Sequence, residues 1–464
     1  MKAAWLRILV VGLAVVGSSD AWAQSPDAHL MTQEHALPDG ETEPREPTLE
    51  RRALLDYDGR TDAPTTLGQK LLWIPRLVFA PLWILTEFVI RRPLGFLARL
   101  AEEGTSDPLR FFVFGEREQV AIAPTLLIDF GERPSAGLYL RWNEAGHERH
   151  RMRFRFATWG KDWLKGRAIS RWVGPNDDWR FELRLEAHRR PDQRYFGIGR
   201  QNSNIRSRYQ ERVLGAEIGF EAEPWRASRV RTWAGIRERR FSDDIYAGET
   251  IENRVAQGAY DLPPGYLSGY FIYAHGLVLE VNTRGRRPNN TSGVMLHAHV
   301  EQAFDLVDPL ARRWLRYGGS AAGFLDLNGS GQVLAVHASV RLVHAFAGAV
   351  PFTELPDLGG SGPLRGFRTG RLRGDSVASL VAQYSWPIWS YLDALIHVGV
   401  GDVYDGRFEN FALDRMRMSF GIGFGAIHSL DHRFDFTLAW GTEPISAGMK
   451  VTSTRVTVGA TLEF

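Results

Sequence analysis

The most restrictive feature of the sequence is an alternation of apolar and polar residues that begins near residue 118 and continues to residue 464. In the stretch RMRFRFATW, Arg151, Arg153 and Arg155 fall on one side of an extended chain, and apolar residues fall on the other. The stretches WRFELRLEA and RFDFTLAW repeat this pattern. A period of two is the period of a β-strand, so this region is predicted to be all-β.

The polar faces of these segments are heavily charged, which favours a closed transmembrane sheet over a soluble sandwich. In such a barrel the apolar side chains face lipid and the charged side chains face a hydrated lumen. We count about 16 segments, which predicts a 16-stranded antiparallel transmembrane β-barrel over residues 118–464. The predicted strands lie near 118–129, 135–143, 150–158, 164–173, 178–188, 211–222, 228–239, 268–282, 292–304, 312–326, 332–346, 374–386, 392–404, 415–427, 433–441 and 453–464.

The lengths of the connections agree with this count. Bacterial barrels alternate short periplasmic turns with longer outside loops. The three longest gaps, 189–210, 240–267 and 347–373, all follow odd-numbered strands. If both chain ends are periplasmic, every long gap therefore faces outward.

The residues before the barrel are predicted to form three segments. Residues 1–23 have the charged start, apolar middle and small-residue end of a secretory signal peptide. Residues 24–65 are polar and acidic and are expected to be a disordered linker. Residues 66–117 are apolar but interrupted by Pro75 and Pro81, which indicates short amphipathic helices at the membrane interface or against the barrel. An ordinary buried helical pair is the alternative.

The composition excludes several kinds of chemistry. The chain has no cysteine, so it has no disulfide, thiol nucleophile or cysteine-ligated metal. Its net charge is +2 and its basic residues are interleaved with acids, which argues against nucleic-acid binding. Ser361 lacks the second glycine of a nucleophile elbow, and His428 and His432 lie across a predicted turn. We therefore expect no enzyme activity, cofactor or metal.

The C-terminal residues fit the ending of outer-membrane barrels. Thr457, Gly459, Leu462 and Phe464 supply a polar residue, a glycine, a hydrophobic residue and a terminal aromatic at the required spacing. Such a terminal strand must stay extended, with its edge free for hydrogen bonding, while the assembly machinery recognises it. Its terminal aromatic side chain lies at the boundary between lipid and water. This predicts a bacterial outer membrane location. The expected partners are outer-membrane lipid, lipopolysaccharide and, during biogenesis, the assembly machinery.

The stretch DLGGSGPLRGFRTGRLRGD, residues 357–375, lies in one of the long outside loops. Here the chain resembles the Omp85 superfamily, to which BamA, TamA and the surface antigen D15 belong. The resemblance is carried by Leu364, Arg365, Gly366 and Phe367, and by RYFGIG at residues 194–199. It implies a sixth outside loop that folds back into the lumen with this motif at its tip.

The residue types of the motif suggest that it holds the loop in place inside the barrel. Glycine allows tight backbone approach, and Phe367 supplies an apolar contact. An arginine that enters a poorly hydrated space needs a fixed partner, so Arg365 is predicted to hold the loop inside the barrel. The alternative is a solvated basic loop that shields lipopolysaccharide phosphates. That alternative is the preferred interpretation for Arg371 and Arg373.

The sequence departs from the family where the partner of Arg365 is expected. In the family, the strand after the loop carries Glu-x-Arg, whereas this chain has Gln-Tyr-Ser at 383–385. The next strand has Gly399 in the place of the usual aspartate. Three carboxylates are possible substitutes: Asp402, Asp375 and Glu354.

The segment before the barrel also departs from much of the family. Residues 24–117 contain no βααββ pattern, so the chain resembles the subgroup that lacks POTRA domains. The resemblance implies insertion or translocation of protein or lipid at the outer membrane, with no client identified. The alternative function is a passive porin-like channel or a structural barrel.

Overall fold

The computed structural model describes residues 113–114, 119–129, 132–199, 205–225, 227–246, 248–284, 292–308, 310–389, 392–426 and 434–460. The segments predicted for residues 1–23 and 24–65 lie outside this part of the chain, as does 66–117 except for residues 113–114. Leu462, Phe464, His428 and His432 also lie outside it. The interpretations of these residues therefore stay predictions.

Sixteen antiparallel strands form one closed barrel, which confirms the predicted fold. Each strand pairs with its neighbour in the chain, and the last strand pairs with the first. The strands are β1 Val120–Asp129, β2 Ser135–Trp142, β3 His150–Thr158, β4 Leu164–Val173, β5 Trp179–Tyr195, β6 Ser207–Trp225, β7 Ser228–Ser242, β8 Tyr270–Asn282, β9 Gly293–Asp305, β10 Arg313–Asp326, β11 Val333–Ala347, β12 Ser376–Trp389, β13 Leu392–Tyr404, β14 Arg417–Ala426, β15 Phe434–Pro444 and β16 Val451–Ala460.

The two faces of the sheet differ as the alternation predicts. In β5 the apolar residues point outward and are well exposed, whereas Glu182 and Glu186 point into the lumen and are buried. Bulky aromatics face outward near the short-turn end of the barrel, where a membrane–water interface favours them. They are Trp142, Trp172, Trp179, Phe181, Phe220 and Trp225.

The helices are short. Among the described residues, helix α1 is Ile251–Ala256, and three 3-10 turns lie at Phe352–Glu354, Leu413–Arg415 and Ile445–Ala447. The Thr250 side chain caps α1 by accepting a hydrogen bond from the Asn253 amide, at 3.1 Å. Within the part of the chain that the structure describes, no helix has the length and apolarity needed to cross a membrane.

Two long outside connections fill the outer mouth of the barrel. Loop 4 is residues 243–269, between β7 and β8, and loop 6 is residues 348–375, between β11 and β12. Their side chains join those of β5 and β6 in one buried apolar cluster. Its members are Tyr195, Tyr209, Ile251, Tyr260, Tyr266 and Phe352. The lumen is therefore packed with aromatic rings at its outer end.

The third predicted long gap, 189–210, is shorter in the structure because β5 continues to Tyr195 and β6 begins at Ser207. The prediction ended β5 at residue 188, before a stretch of mostly charged residues that also contains Pro191. The strand passes this proline through a β-bulge between Arg190 and Gln193. A bulge accommodates a residue without an amide hydrogen, so the proline does not end the pairing.

The contact between the last and first strands lies only partly within the described residues, which end at Ala460. Among the described residues, β16 and β1 share four registered pairs, from Thr457↔Asp129 to Ala460↔Leu126. By the same measure, β5 and β6 share fifteen registered pairs. Val113–Phe114 also pairs with Val120 and Ala121, on the edge of β1 that faces β16. We call this first-to-last contact the seam.

Candidate functional site

Loop 6 folds inward and forms a small hairpin within the barrel. Residues Asp357–Leu358 pair with Leu372–Arg373, and the predicted motif lies between these two short strands. Leu364 and Phe367 are fully buried. They pack in a cluster with Leu358, Leu372, Val377 and Val403. The apolar members of the motif therefore fix the loop to the walls formed by β12 and β13.

Gly366 brings the backbone of the loop into direct contact with the barrel wall. Its amide donates to the Ser419 hydroxyl at 2.8 Å, and its carbonyl accepts from the Ser453 hydroxyl at 2.6 Å. A Cβ atom at this position would lie 2.1 Å from the Trp440 carbonyl oxygen. No other residue fits, so the backbone itself is the group that β14, β15 and β16 hold.

Arg365 is half-buried and points to β12. Its Nη2 atom lies 3.5 Å from Oε1 of Gln383. Gln383 stands at the position where the resemblance to the Omp85 superfamily implies a glutamate. An amide oxygen accepts a hydrogen bond but brings no charge, so this contact is weaker than a guanidinium–carboxylate pair.

The three carboxylates considered as partners of Arg365 make other contacts. Asp402 binds Arg417 on β14, and the Asp375 carboxylate accepts from the Gly406 amide at 2.9 Å. Glu354 lies in the 3-10 turn at the start of loop 6 and is fully buried. Each carboxylate finds its partners near the outer ends of the strands, and spacing along the sequence does not reveal this arrangement.

Glu354 forms a fully buried ionic contact between loop 6 and the barrel. Its carboxylate lies 2.9 Å from Arg237, 3.6 Å from Arg239 and 3.4 Å from Arg316. The Tyr270 hydroxyl donates to it at 2.5 Å. Burial raises the pKa of the Glu354 carboxyl, but the three guanidiniums and the tyrosine outweigh this and lower it to about 2. The loop thus carries a carboxylate into a cradle of arginines from β7 and β10.

Sequence reasoning missed this cradle. The alternation did place Arg237 and Arg239 on one face of β7, which is a signal that both reach the lumen. Their partner is 117 residues away from Arg237 in the chain, so no local pattern links the two groups.

Arg371 and Arg373 are buried, so the expectation that they are solvated was wrong. Arg371 lies over the Phe196 ring, 5.1 Å from its centre, and Arg373 lies 5.7 Å from the centre of Phe352. Phe196 belongs to the RYFGIG stretch, so this second family-like motif contacts loop 6 directly. Arginine packs well on aromatic faces, which explains its burial without a lipopolysaccharide phosphate.

Loop 6 also contacts both strands of the seam. Asp129 on β1 pairs with Arg455 on β16 at 3.1 Å and with Arg368 of the loop at 3.3 Å. Arg455 further donates to the Gly360 carbonyl of the loop. One carboxylate, one strand arginine and one loop arginine therefore join β1, β16 and loop 6 at a single point.

Glu132 extends this ionic cluster beyond the end of β1. It lies 3.0 Å from Arg190, 3.7 Å from Arg194 and 3.5 Å from Arg368. Burial raises the pKa of the Glu132 carboxyl, but the surrounding guanidiniums hold it below its usual range. Glu132 is therefore ionised and reinforces the position of Arg368.

Only part of the predicted C-terminal signal lies within the described residues. Thr457 and Gly459 lie in β16 opposite Asp129 and Leu127 of β1. Leu462 and Phe464 lie outside the described residues. Within those residues, no group of three or more histidine and carboxylate side chains is arranged to hold a metal ion.

Replacement of Arg365 by Ala is expected to raise the conductance of the barrel in planar bilayers and to lower its heat stability. The hydrogen bond from Arg365 to Gln383 is long, so its loss is expected to cost about 1 kcal/mol. Heat-modified mobility and single-channel recording measure the two effects. Arg240→Ala, on an outward side chain that is 71% exposed, is the matched control. No change in either quantity would contradict a locking role.

The Omp85 superfamily domain matches residues 130–448. The fold is similar to the structure of BamA from Haemophilus ducreyi lacking POTRA domains 1–3, with a TM-score of 0.52 and 15% sequence identity. The match covers 74% of this chain and 70% of that chain.

Two CdiB structures are also similar. CdiB from Acinetobacter baumannii is 13% identical with a TM-score of 0.46, over 74% of this chain and 60% of that chain. CdiB from Escherichia coli is 12% identical with a TM-score of 0.47, over 73% of this chain and 62% of that chain. No curated protein sequence matches this chain.

Proposed function

Because this chain belongs to the Omp85 superfamily of outer-membrane β-barrels, we propose that it takes part in inserting or translocating protein or lipid at the outer membrane. The superfamily is one of transport and assembly proteins and not of enzymes. The protein is accordingly an outer-membrane barrel of a non-enzymatic family.

The seam is the observation that carries the proposal. Among the described residues, its four registered pairs are far fewer than the fifteen between β5 and β6. Each backbone pair adds only modest net stability, so a short ladder opens at lower cost than a long one. A barrel that opens at one place provides a lateral path from lumen to lipid, which insertion requires and a passive pore does not.

The packed outer mouth supports the same function over a porin-like channel. Loop 4 and loop 6 bury Tyr209, Ile251 and Phe352 at that end of the lumen. A steady aqueous pathway for solutes needs a hydrated cross-section throughout, and buried aromatic rings oppose it. Large, steady and ungated conductance from the purified protein would favour the passive channel instead.

A disulfide across the seam provides the test. The chain has no cysteine, so Ile128→Cys with Val458→Cys introduces a single pair at directly opposite positions of β1 and β16. Liposomes containing the oxidised variant are expected to lose the acceleration of folding that the reduced variant gives to a small urea-unfolded outer-membrane barrel. Folding of that barrel is followed by its heat-modified mobility.

Leu279→Cys with Ala298→Cys, at opposite positions of β8 and β9, is the matched control. This disulfide leaves the seam free and should leave the acceleration unchanged. If the oxidised seam variant still accelerates folding, the lateral route is wrong. If the reduced variant and the unmodified protein both fail to accelerate folding, the insertion role for protein clients is wrong.

A further inference from the structure

One arginine on the outward face of the barrel has no partner among the described residues. Arg212 lies in β6 between the buried residues Glu211 and Val213, so its side chain points outward, where it is exposed. It makes no ion pair and no side-chain hydrogen bond with any residue that the structure describes. Its charge is therefore available to a ligand from outside the barrel.

Arg212 lies at the upper edge of the lipid-facing surface. It is the first polar residue above a series of apolar outward positions of β6, on the side of the outside loops. From the top of the series downward, these positions are Leu214, Ala216, Ile218, Phe220 and Ala222. Because the apolar band of a barrel matches the hydrocarbon core of the membrane, Arg212 lies at the level of the lipid headgroups of the outer leaflet.

The strand register places Arg212 between two further outward arginines. It is directly opposite Arg189 on β5 and Arg240 on β7. Neighbouring strands lie about 4.8 Å apart, so the guanidiniums repel one another across the sheet. An anion that binds beside Arg212 would relieve this repulsion.

Arg240 is the flanking arginine whose charge is already balanced. Glu238, two residues earlier on the same face of β7, lies 2.6 Å from it. A carboxylate at this distance forms a charge-assisted hydrogen bond, so the pair leaves little positive charge on β7 for a ligand.

Arg189 is balanced less closely. Its carboxylate contacts are Asp162 at 3.9 Å and Asp244 at 3.5 Å, and its Nε donates to Gln210 at 3.0 Å. The side chains of Arg189 and Asp244 are 35% and 71% exposed, so water weakens their attraction. Arg189 and Arg212 are therefore two neighbouring cations that one anion can bridge, and we call them the rim pair.

A phosphate on a lipid has the chemistry that fits the rim pair. It carries more than one negative charge and three strong acceptor oxygens, so two guanidiniums can bind it at once. One outward position below the rim pair, Ala187 and Leu214 face each other across β5 and β6. An acyl chain attached to the phosphate would contact these two apolar side chains, whereas a free phosphate ion would leave them unused.

We propose that Arg189 and Arg212 form a binding site for a phosphate-bearing lipid of the outer leaflet, with the lipid A part of lipopolysaccharide as its ligand. The phosphate lies between the two guanidiniums, and an acyl chain lies along Leu214 and Ala187. The site is on β5 and β6 and the seam is between β16 and β1, so this proposal does not depend on the insertion role.

Thermal unfolding with and without lipid provides the test on the full chain in non-ionic detergent. The probes are phosphorylated lipid A, lipid A from which the phosphates have been removed, and inorganic phosphate. A ligand that binds only the folded protein raises its unfolding temperature. We expect phosphorylated lipid A to raise the unfolding temperature, measured by heat-modified mobility, much more than the dephosphorylated form does. Titration of this rise gives an apparent Kd.

Arg212→Gln should weaken the binding of phosphorylated lipid A about tenfold, a change of about 1.4 kcal/mol. Without lipid, this variant should unfold at the same temperature as the unmodified protein or at a higher one, because it removes a like charge from the sheet. A loss of binding is then separable from a loss of folding. Arg212→Lys keeps the charge but has no paired donors, so its affinity should be intermediate.

Glu238→Gln with Arg240→Gln is the matched control. This double variant removes a mutually neutralising pair from the adjacent strand and leaves the rim pair unchanged. It should bind phosphorylated lipid A with the affinity of the unmodified protein.

Four results would overturn the proposal. Equal binding of the two forms of lipid A would show that phosphate is not recognised. Normal binding by folded Arg212→Gln would place the site elsewhere, and an equal loss in the control variant would indicate a general effect of surface polarity. Displacement of lipid A by inorganic phosphate well beyond that by chloride at equal ionic strength would assign the site to free phosphate.

Discussion

Glu354→Gln is expected to cause one of the two largest losses of stability among single changes in loop 6. The substitution leaves Arg237, Arg239 and Arg316 around a neutral amide in a fully buried site. Breaking a buried ionic contact by removing one partner costs about 3–5 kcal/mol, because the remaining charges stay desolvated. The loop should then leave the lumen more readily, so the unfolding temperature falls and conductance in planar bilayers rises.

The effect has a defined pH dependence. The carboxyl pKa is about 2 in the folded protein, against an ordinary value of 4.5. A lowered pKa contributes stability that is complete above the ordinary value and is lost as the pH falls toward the folded value. The difference in unfolding temperature between the two proteins should be constant from pH 7 to about 5. It should shrink between about pH 4.5 and 2.

Glu238→Gln is the matched control for charge removal. Glu238 pairs with Arg240 on the outer face, where the Arg240 side chain is exposed and the Glu238 side chain is half-buried. Surface pairs contribute about 0–1 kcal/mol, so this variant should differ little from the unmodified protein. Equal stability of the two variants at pH 7 would contradict the role assigned to the arginine cradle.

Gly366→Ala is expected to displace the tip of loop 6 from the wall. The added Cβ would lie 2.1 Å from the Trp440 carbonyl oxygen and 2.6 Å from the Gly441 amide nitrogen. Overpacking of this kind costs about 1–3 kcal/mol. Loss of the hydrogen bonds to Ser419 and Ser453 adds about 1 kcal/mol each.

The variant should therefore unfold at a lower temperature, and Arg368 should be separated from Asp129 more often. Faster amide hydrogen exchange in the tip and along β16 measures this opening. Gly323→Ala on β10 is the matched control, because a Cβ there meets no atom within 4 Å. If Gly366→Ala unfolds and exchanges like the control, the close contact at the loop tip does not hold the loop.

The barrel could be predicted from sequence because each strand carries its own signal. The alternation of apolar and polar residues is a local property of each strand. It is regular because one face of the strand contacts lipid and the other faces the hydrated lumen. The prediction failed at the end of β5, where Pro191 and consecutive charges hide the alternation. There the strand continues through a bulge, which depends on pairing with β6 and not on the residues of β5 alone.

The loop contacts could be predicted only in part. The motif at residues 364–367 identified the segment that enters the barrel, because glycine and aromatic residues mark close packing. The cradle around Glu354 escaped prediction, because its members come from loop 6, β7, β8 and β10. The burial of Arg371 and Arg373 escaped it too, since a basic run looks solvated until aromatic neighbours such as Phe196 are known.

The ionic contact at the seam has a consequence for the order of folding. Asp129 and Arg455 are 326 residues apart, and Asp129 and Arg368 are 239 apart. Contacts between such distant positions require nearly the whole polypeptide to be arranged beforehand, so the loss of chain entropy delays them until late. Pairing of β1 with β16 and the contact of Arg368 with Asp129 should therefore be the final events of biogenesis. A folding intermediate would then expose unpaired strand edges to the chaperone or membrane surface that it contacts.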